Sequence, residues 1–205
     1  MASKMIHYIV GTYVSQELSL QSPTRFLAGN LYPDCVEGSG RKGRKGRSHF
    51  CTSVDSSLWR DQNCPLFLKK YGNRVWEDDL YLGYLCHLET DSIWHDDIFP
   101  YIKQASEGQS FETYKEPLYR DYHRLNEMLR NTFPIAFTRL PKISCDIEEV
   151  QPELWEHYMD DLAYEFTEVH DACPEHLEIL KWEPILAYIN WVIPYCVEKL
   201  KEFRA

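Results

Sequence analysis

The chain has 205 residues, a length that suits one domain with a real core and leaves little room for a second. Lys and Arg number 22 against 32 Asp and Glu, a formal net charge of -10 that excludes a nucleic-acid binder held by bulk charge, so no stable nucleic-acid partner is expected. Seven cysteines, at positions 35, 51, 64, 86, 145, 173 and 196, form no CxxC pair and so exclude a cysteine-type zinc knuckle.

Residues 5–20 carry Ile6, Ile9, Val10, Tyr13 and Val14 at helical spacing, which predicts a first helix with His7 near its start. The start, Met1 to His7, has no leader-like apolar run. With an odd cysteine count this points to a reducing, cytoplasmic setting. Ser22-Pro23 opens a second helix by the proline-at-first-turn rule. It runs through Phe26 and Leu27 to Gly29-Asn30, and Tyr32-Pro33-Asp34 turns the chain. Glycine and basic residues fill Gly38 to Arg47, so 36–48 is expected to be a flexible basic loop. Helices follow at about 56–71, 75–98, 111–133, 148–169 and 175–203, with Pro65, Pro117, Pro184 and Pro194 starting, kinking or interrupting them. No strand alternation competes, no repeat is visible, and no stretch reaches membrane-spanning length without charges. The expected architecture is a single all-α bundle of six to eight helices spanning 1–205.

The chemistry concentrates in Gly83-Tyr84-Leu85-Cys86-His87-Leu88-Glu89-Thr90-Asp91-Ser92-Ile93-Trp94-His95. His87, Asp91 and His95 recur every four residues, stepping about 40° per repeat, so they share one helix face. Imidazoles with a carboxylate suit a divalent metal. The rise from His87 to His95 is roughly 12 Å, too far for one ion to take both easily. Other ligand types lie along the chain: His7, Asp34, His49, and the i,i+4 pair His123 and Glu127. Singly, each has a plain reading: His7 as a core histidine, His123/Glu127 as a solvated helix face. His157, His170 and His176 lack ligand spacing and read as surface or structural. Trp155, Tyr158, Tyr164, Phe166, Trp182, Tyr188 and Trp191 read as core aromatics.

Taken in order, the set resembles the zinc-dependent phospholipase C family and the related fungal single-strand nucleases. Gly29-Asn30-Leu31-Tyr32-Pro33-Asp34 is similar to that family's Gly-x-x-x-Pro-Asp turn, Arg47-Ser48-His49-Phe50 to its next histidine step, and Gly83 to Asp91 to its central metal helix. The resemblance covers about residues 5–130. It implies an all-α fold and a zinc cluster of two or three ions between helices. Asp34, His49, His87 and Asp91 would enclose one ion, and Asp91 would bridge to a second held with His7. His95, His123 and Glu127 would hold a third. Asp96 or Asp97 is an alternative to His95, and Asp121 to His123. Founding members bind the His7-type metal with a mature N-terminal Trp, which this chain lacks.

The reaction so implied is phosphoester hydrolysis by a metal-activated water, oriented or deprotonated by Asp34, on a substrate of unspecified class. Other divalent metals fit the donor types too. Arg41, Lys42, Arg44, Lys45 and Arg47 would form a flap for an anionic phosphate, or simply a solvated loop. Two alternatives use the same residues differently. An HD-type phosphohydrolase would centre on the His95-Asp96 dipeptide. A metal-stabilised helical scaffold or sensor would keep the ligands without turnover.

Overall fold

An N-cap and a run of apolar residues on every face build the central helix of the molecule. The computed structural model describes residues 1–37, 44–51, 63–170 and 172–204. The Asp78 carboxylate accepts from the Leu80 amide, and the helix it opens, Asp79–Asp97, is buried from Leu80 through Asp91. A helix apolar all round belongs inside a bundle, and its neighbours surround it.

In chain order the described α-helices are α1 (Lys4–Glu17), α2 (Pro23–Leu31), α3 (Arg44–Ser48), α4 (Asn63–Glu77), α5 (Asp79–Asp97), α6 (Phe99–Ala105), α7 (Phe111–Thr132), α8 (Trp155–Thr167) and α9 (Trp182–Lys201). Short 3-10 turns follow α2 at Tyr32–Asp34, precede α8 at Pro152–Leu154 and precede α9 at Pro174–His176. No strand occurs among the described residues, and the fold is a single all-α bundle. No helix among them is long and apolar enough to cross a membrane. Ser3 and Ser22 cap α1 and α2, and Pro23 sits in the first turn of α2 as its fixed φ favours.

The α2–α5 crossing is closer than side chains allow. A Cβ on Gly29 would lie 1.9 Å from the Leu80 carbonyl oxygen, and one on Gly83 would lie 1.9 Å from that of Phe26. Both positions therefore require glycine for lack of space. The two backbones touch directly, and α1, α4 and α9 close around them.

Several expected boundaries move. Asp78, extended at φ -138°, separates α4 from α5, so the helices expected at 56–71 and 75–98 become 63–77 and 79–97. Residues 52–62 lie outside the described residues. Pro152 holds Gln151 off the helical region, and the helix expected from 148 begins at Trp155. The helix expected from 175 begins at Trp182. The Asp121 carboxylate accepts from the amides of Glu178, Ile179 and Leu180 and keeps that stretch non-helical. The basic stretch expected to be a flexible loop contains a short helix, α3, because the His49 amide bonds back to the Lys45 carbonyl and the Cys51 amide to that of Gly46. Arg41 and Lys42 lie outside the described residues.

Gly83→Ala should destabilise by about 3 kcal/mol, since a methyl must force two backbones apart. Gly72→Ala, on α4 with open space around its Cβ, should stabilise by about 0.5–1 kcal/mol. Urea denaturation of both variants against the parent chain measures this. Equal stability of all three would contradict the close crossing.

Candidate metal centre

The tight α2–α5 contact sets the chemistry of the first imidazole. It brings the Asn30 carbonyl to 2.9 Å from His87 Nδ1. A carbonyl only accepts, so Nδ1 carries the proton and Nε2 presents a lone pair. The Asn30 side chain turns the other way, and its Nδ2 donates to the His7 carbonyl at 2.6 Å. One residue thereby ties α1, α2 and α5 together beneath the site.

The second imidazole is set in the same way. His49 follows α3, and its Nδ1 lies 2.8 Å from the Lys45 carbonyl, one turn back. Ser48 Oγ donates to the Pro33 carbonyl at 2.6 Å, which anchors α3 on the 3-10 turn that carries Asp34. His49 Nε2 therefore also presents a lone pair, and it faces His87 Nε2 across 3.0 Å. Backbone carbonyls behind both rings are the usual outer shell of metal-binding histidines.

Asp91 closes the group from one turn along α5. Its Oδ2 lies 3.3 Å from His49 Nε2 and 3.6 Å from His87 Nε2. Its Oδ1 lies 3.4 Å from His7 Nε2 and accepts from the Ala2 amide at 2.8 Å. The His7 ring stacks on His87 with centroids 3.7 Å apart. Asp34 Oδ1 lies 3.5 Å from His49 Nε2 and 2.8 Å from Lys45 Nζ. His7, His49, His87 and Asp91 are all buried, and the Asp34 side chain is nearly so.

Such burial makes the protonation states informative. Burial, then repulsion from His87, lowers His7 from 6.5 to about 4. Burial lowers His49 as well. Burial alone would raise Asp91, but the His49, His7 and His87 imidazoles outweigh it and hold the carboxyl well below its usual value. Burial also opposes charge on Asp34; Lys45, then His87, His49 and His7, outweigh it, so Asp34 stays ionised. Burial thus favours neutral His7 and His49 beside two ionised carboxylates.

A cation fits this arrangement. Both His7 ring nitrogens and Asp91 Oδ2 are buried with no hydrogen-bond partner, a costly state for polar atoms. Bonds of about 2.0–2.2 Å around a tetrahedral zinc set its ligand atoms about 3.3 Å apart. The separations of 3.0, 3.3 and 3.6 Å among His87, His49 and Asp91 bracket that spacing. Two groups lie within metal-binding reach here, His7/His87/Asp91 and Asp34/His49/His87. The cluster therefore has the donor types and spacing to hold a metal ion.

The remaining expected ligands lie elsewhere. His95, in the last turn of α5, stacks on Phe99 and belongs to no metal-type group among the described residues. His123 turns to Glu168, with Nδ1 3.0 Å from Oε1. Glu127 Oε2 instead accepts from the His170 amide at 2.7 Å. The helix spacing does put His123 and Glu127 on one face of α7, but that face meets the segment after α8 rather than α5. Asp121 is spent on backbone amides, as described, and is not a ligand there. Asp96 joins no metal-type group, so the His95-Asp96 dipeptide has no cluster around it among the described residues. Of the basic stretch, Arg44 and Arg47 are exposed on α3, while Lys45 turns inward to Asp34. Sequence reasoning missed Asn30 as the tie beneath the site. Its placement directly after Gly29 in the turn motif was the available signal.

No protein-family model, curated protein or solved structure matches this chain.

The metal-free protein should lose stability as pH falls from 6.5 toward 4. Unfolded His7 takes a proton near 6.5, while the folded ring resists until about 4, so protonation favours the unfolded chain across that window. Thermal melts of chelator-treated protein between pH 7 and 4 measure this, and a flat profile would count against a neutral buried cluster. Asp91→Asn should lose bound metal in elemental analysis and Asp96→Asn should not. The reverse would favour the dipeptide centre.

Proposed function

We propose that this chain is a metal-dependent phosphoesterase, similar in its centre to the zinc-dependent phospholipases C, acting on a phosphate-ester substrate. The observation that carries the reading is the pair of Nε2 lone pairs facing across 3.0 Å beside Asp91, each ring fixed from behind by a backbone carbonyl. Zinc is the metal best matched to imidazole and carboxylate donors. Asp34, His49, His87 and Asp91 would hold one ion, and Asp91 with His7 a second. Zinc bound there supplies Lewis acidity toward a phosphoryl oxygen and lowers the pKa of an attacking water.

The chain's own residues supply the rest. Asp34 is kept ionised, which suits it to orient the attacking water. Lys45 pairs with Asp34 at 2.8 Å, so its ammonium stands where an anionic phosphate would approach and can shift from carboxylate to substrate. Arg44 and Arg47 extend positive charge outward from the same short helix. In hydrolysis, the water oxygen would bond to phosphorus as the ester oxygen leaves, while the Asn30 and Lys45 carbonyls, accepting from Nδ1 of His87 and His49, keep those two rings still.

A second reading has an observation of its own. The ligands are so buried that the site suits a closed, structural metal, and hollows of about 550 and 450 Å³ lie elsewhere, beside Tyr195 and beside Arg25. A metal-stabilised scaffold or sensor would need no open coordination position.

Elemental analysis of protein purified without chelator, followed by a panel of phosphomonoesters, phosphodiesters and phospholipids, tests both. Hydrolysis should appear, fall at least 100-fold in Asp34→Asn, and show about a tenfold higher KM in Lys45→Met with metal content kept. Bound metal with no turnover of any ester would favour the scaffold. Absence of metal would remove both readings.

A further inference from the structure

Away from the central cluster, α7 meets the segment that follows α8 through a row of polar residues. His123, Asn126, Glu127 and Arg130 lie on one face of α7, by their three- and four-residue spacing. All four reach residues 166–170. Arg130 Nη2 donates to the Glu168 carbonyl at 2.6 Å, and Nη1 donates to that of Phe166. Glu127 holds the His170 amide. Asn126 Nδ2 donates to Glu168 Oε1 at 3.0 Å. The loop is thus clasped in place by groups other than its own imidazole and carboxylate.

Within this clasp sit three metal-type side chains. The Glu168 side chain is only 4% exposed, yet it carries an ionised carboxyl: burial opposes its charge, while His170, His123 and Asn126 outweigh burial. His123 Nδ1 lies 3.0 Å from Oε1. His170 Nε2 lies 2.8 Å from Oε2, but it is not aligned for a hydrogen bond and is sealed from solvent. The ligating atoms of His123, Glu168 and His170 all lie within 4.8 Å of one another.

We propose that His123, Glu168 and His170 form a second, separate binding site for a divalent transition cation, with zinc best matched. Two imidazoles and a carboxylate are a donor set that zinc takes with a position left for water. The His123 side chain is 46% exposed and that of His170 34%, so the site lies at the protein's edge, unlike the fully buried central cluster. Opening the 2.8 and 3.0 Å contacts to about 3.3 Å accommodates the ion with a shift of a few tenths of an ångström. The Asn126 amide on Oε1 serves as the outer-shell partner that orients the carboxylate. On binding, each imidazole gives up whatever proton its ligating nitrogen carries. The bound cation pins the chain after α8 to α7. No residue of the central cluster takes part.

The full chain, stripped of metal, is titrated with zinc sulfate while the histidine ring signals are followed by ¹⁵N NMR. The His123 and His170 rings should shift as one equivalent binds. His123→Ala or His170→Ala should weaken that equivalent at least tenfold, with metal at His49 and His87 unchanged. Both variants alter partly exposed side chains, and their melting curves check that they fold. Rings of His123 and His170 that stay silent up to millimolar zinc while His49 and His87 respond would overturn this site and leave the central one standing. Response at His123 and His170 alone would support this site and remove the central one.

Discussion

The direct contact of the α2 and α5 backbones at Gly29 and Gly83 is the constraint on which the centre depends. With no Cβ between them, α2 can lay its last turn against α5, and the Asn30 carbonyl reaches the His87 ring. The same turn delivers Asp34 through the 3-10 step that follows. A third glycine extends the logic: a Cβ on Gly11 would lie 2.4 Å from Asn30 Nδ2, so α1 too must leave room for this residue. Three helices are registered to one another by a single asparagine, and the histidines of two of them stack as a result.

Electrostatics then separates this cluster from an ordinary buried polar network. A satisfied network pairs every donor with an acceptor. Here two imidazoles have spent their protons on backbone carbonyls and turn lone pairs toward each other and toward carboxylates. Acceptors facing acceptors at 3.0–3.6 Å repel unless something positive stands between them. Lys45 answers part of that demand at Asp34, and nothing comparable touches Asp91 Oδ2. The centre has the donors and spacing to take a cation as its last member, and catalysis would require in addition that water and ester reach that cation.

The later helices are joined by a different device. Long connections between α7, α8 and α9 have little helical structure of their own and are held by buried side chains. Trp155 donates to the Leu140 carbonyl, Tyr32 to that of Ile143, and Asp121 gathers three successive amides before α9. These contacts are long-range in sequence, and each satisfies a backbone group that the loop cannot satisfy itself. His123 and Glu127 are recruited into this work, which is why their i,i+4 pattern does not mark the third member of the central cluster.

Much of the architecture was legible along the chain. Helical spacing of apolar residues marked α1, Ser22-Pro23 marked the start of α2, helices were expected across α5 and α7, and the four-residue step from His87 to Asp91 put two donors on one face of a helix. These are local properties, dictated by the rise and twist of a helix and by capping chemistry. The ends of α4, α8 and α9 were not legible, because Asp78, Pro152 and Asp121 act there through caps and contacts that composition does not weigh. Nor was the fate of His95, which shares the face of His87 and Asp91 but lies two turns along, beyond the reach of α1 and α3. The chain by itself determined which residue types are present and which helix face carries them. Only the tertiary structure decided which faces meet, because that depends on how closely two backbones approach, and at Gly29 and Gly83 they approach to contact.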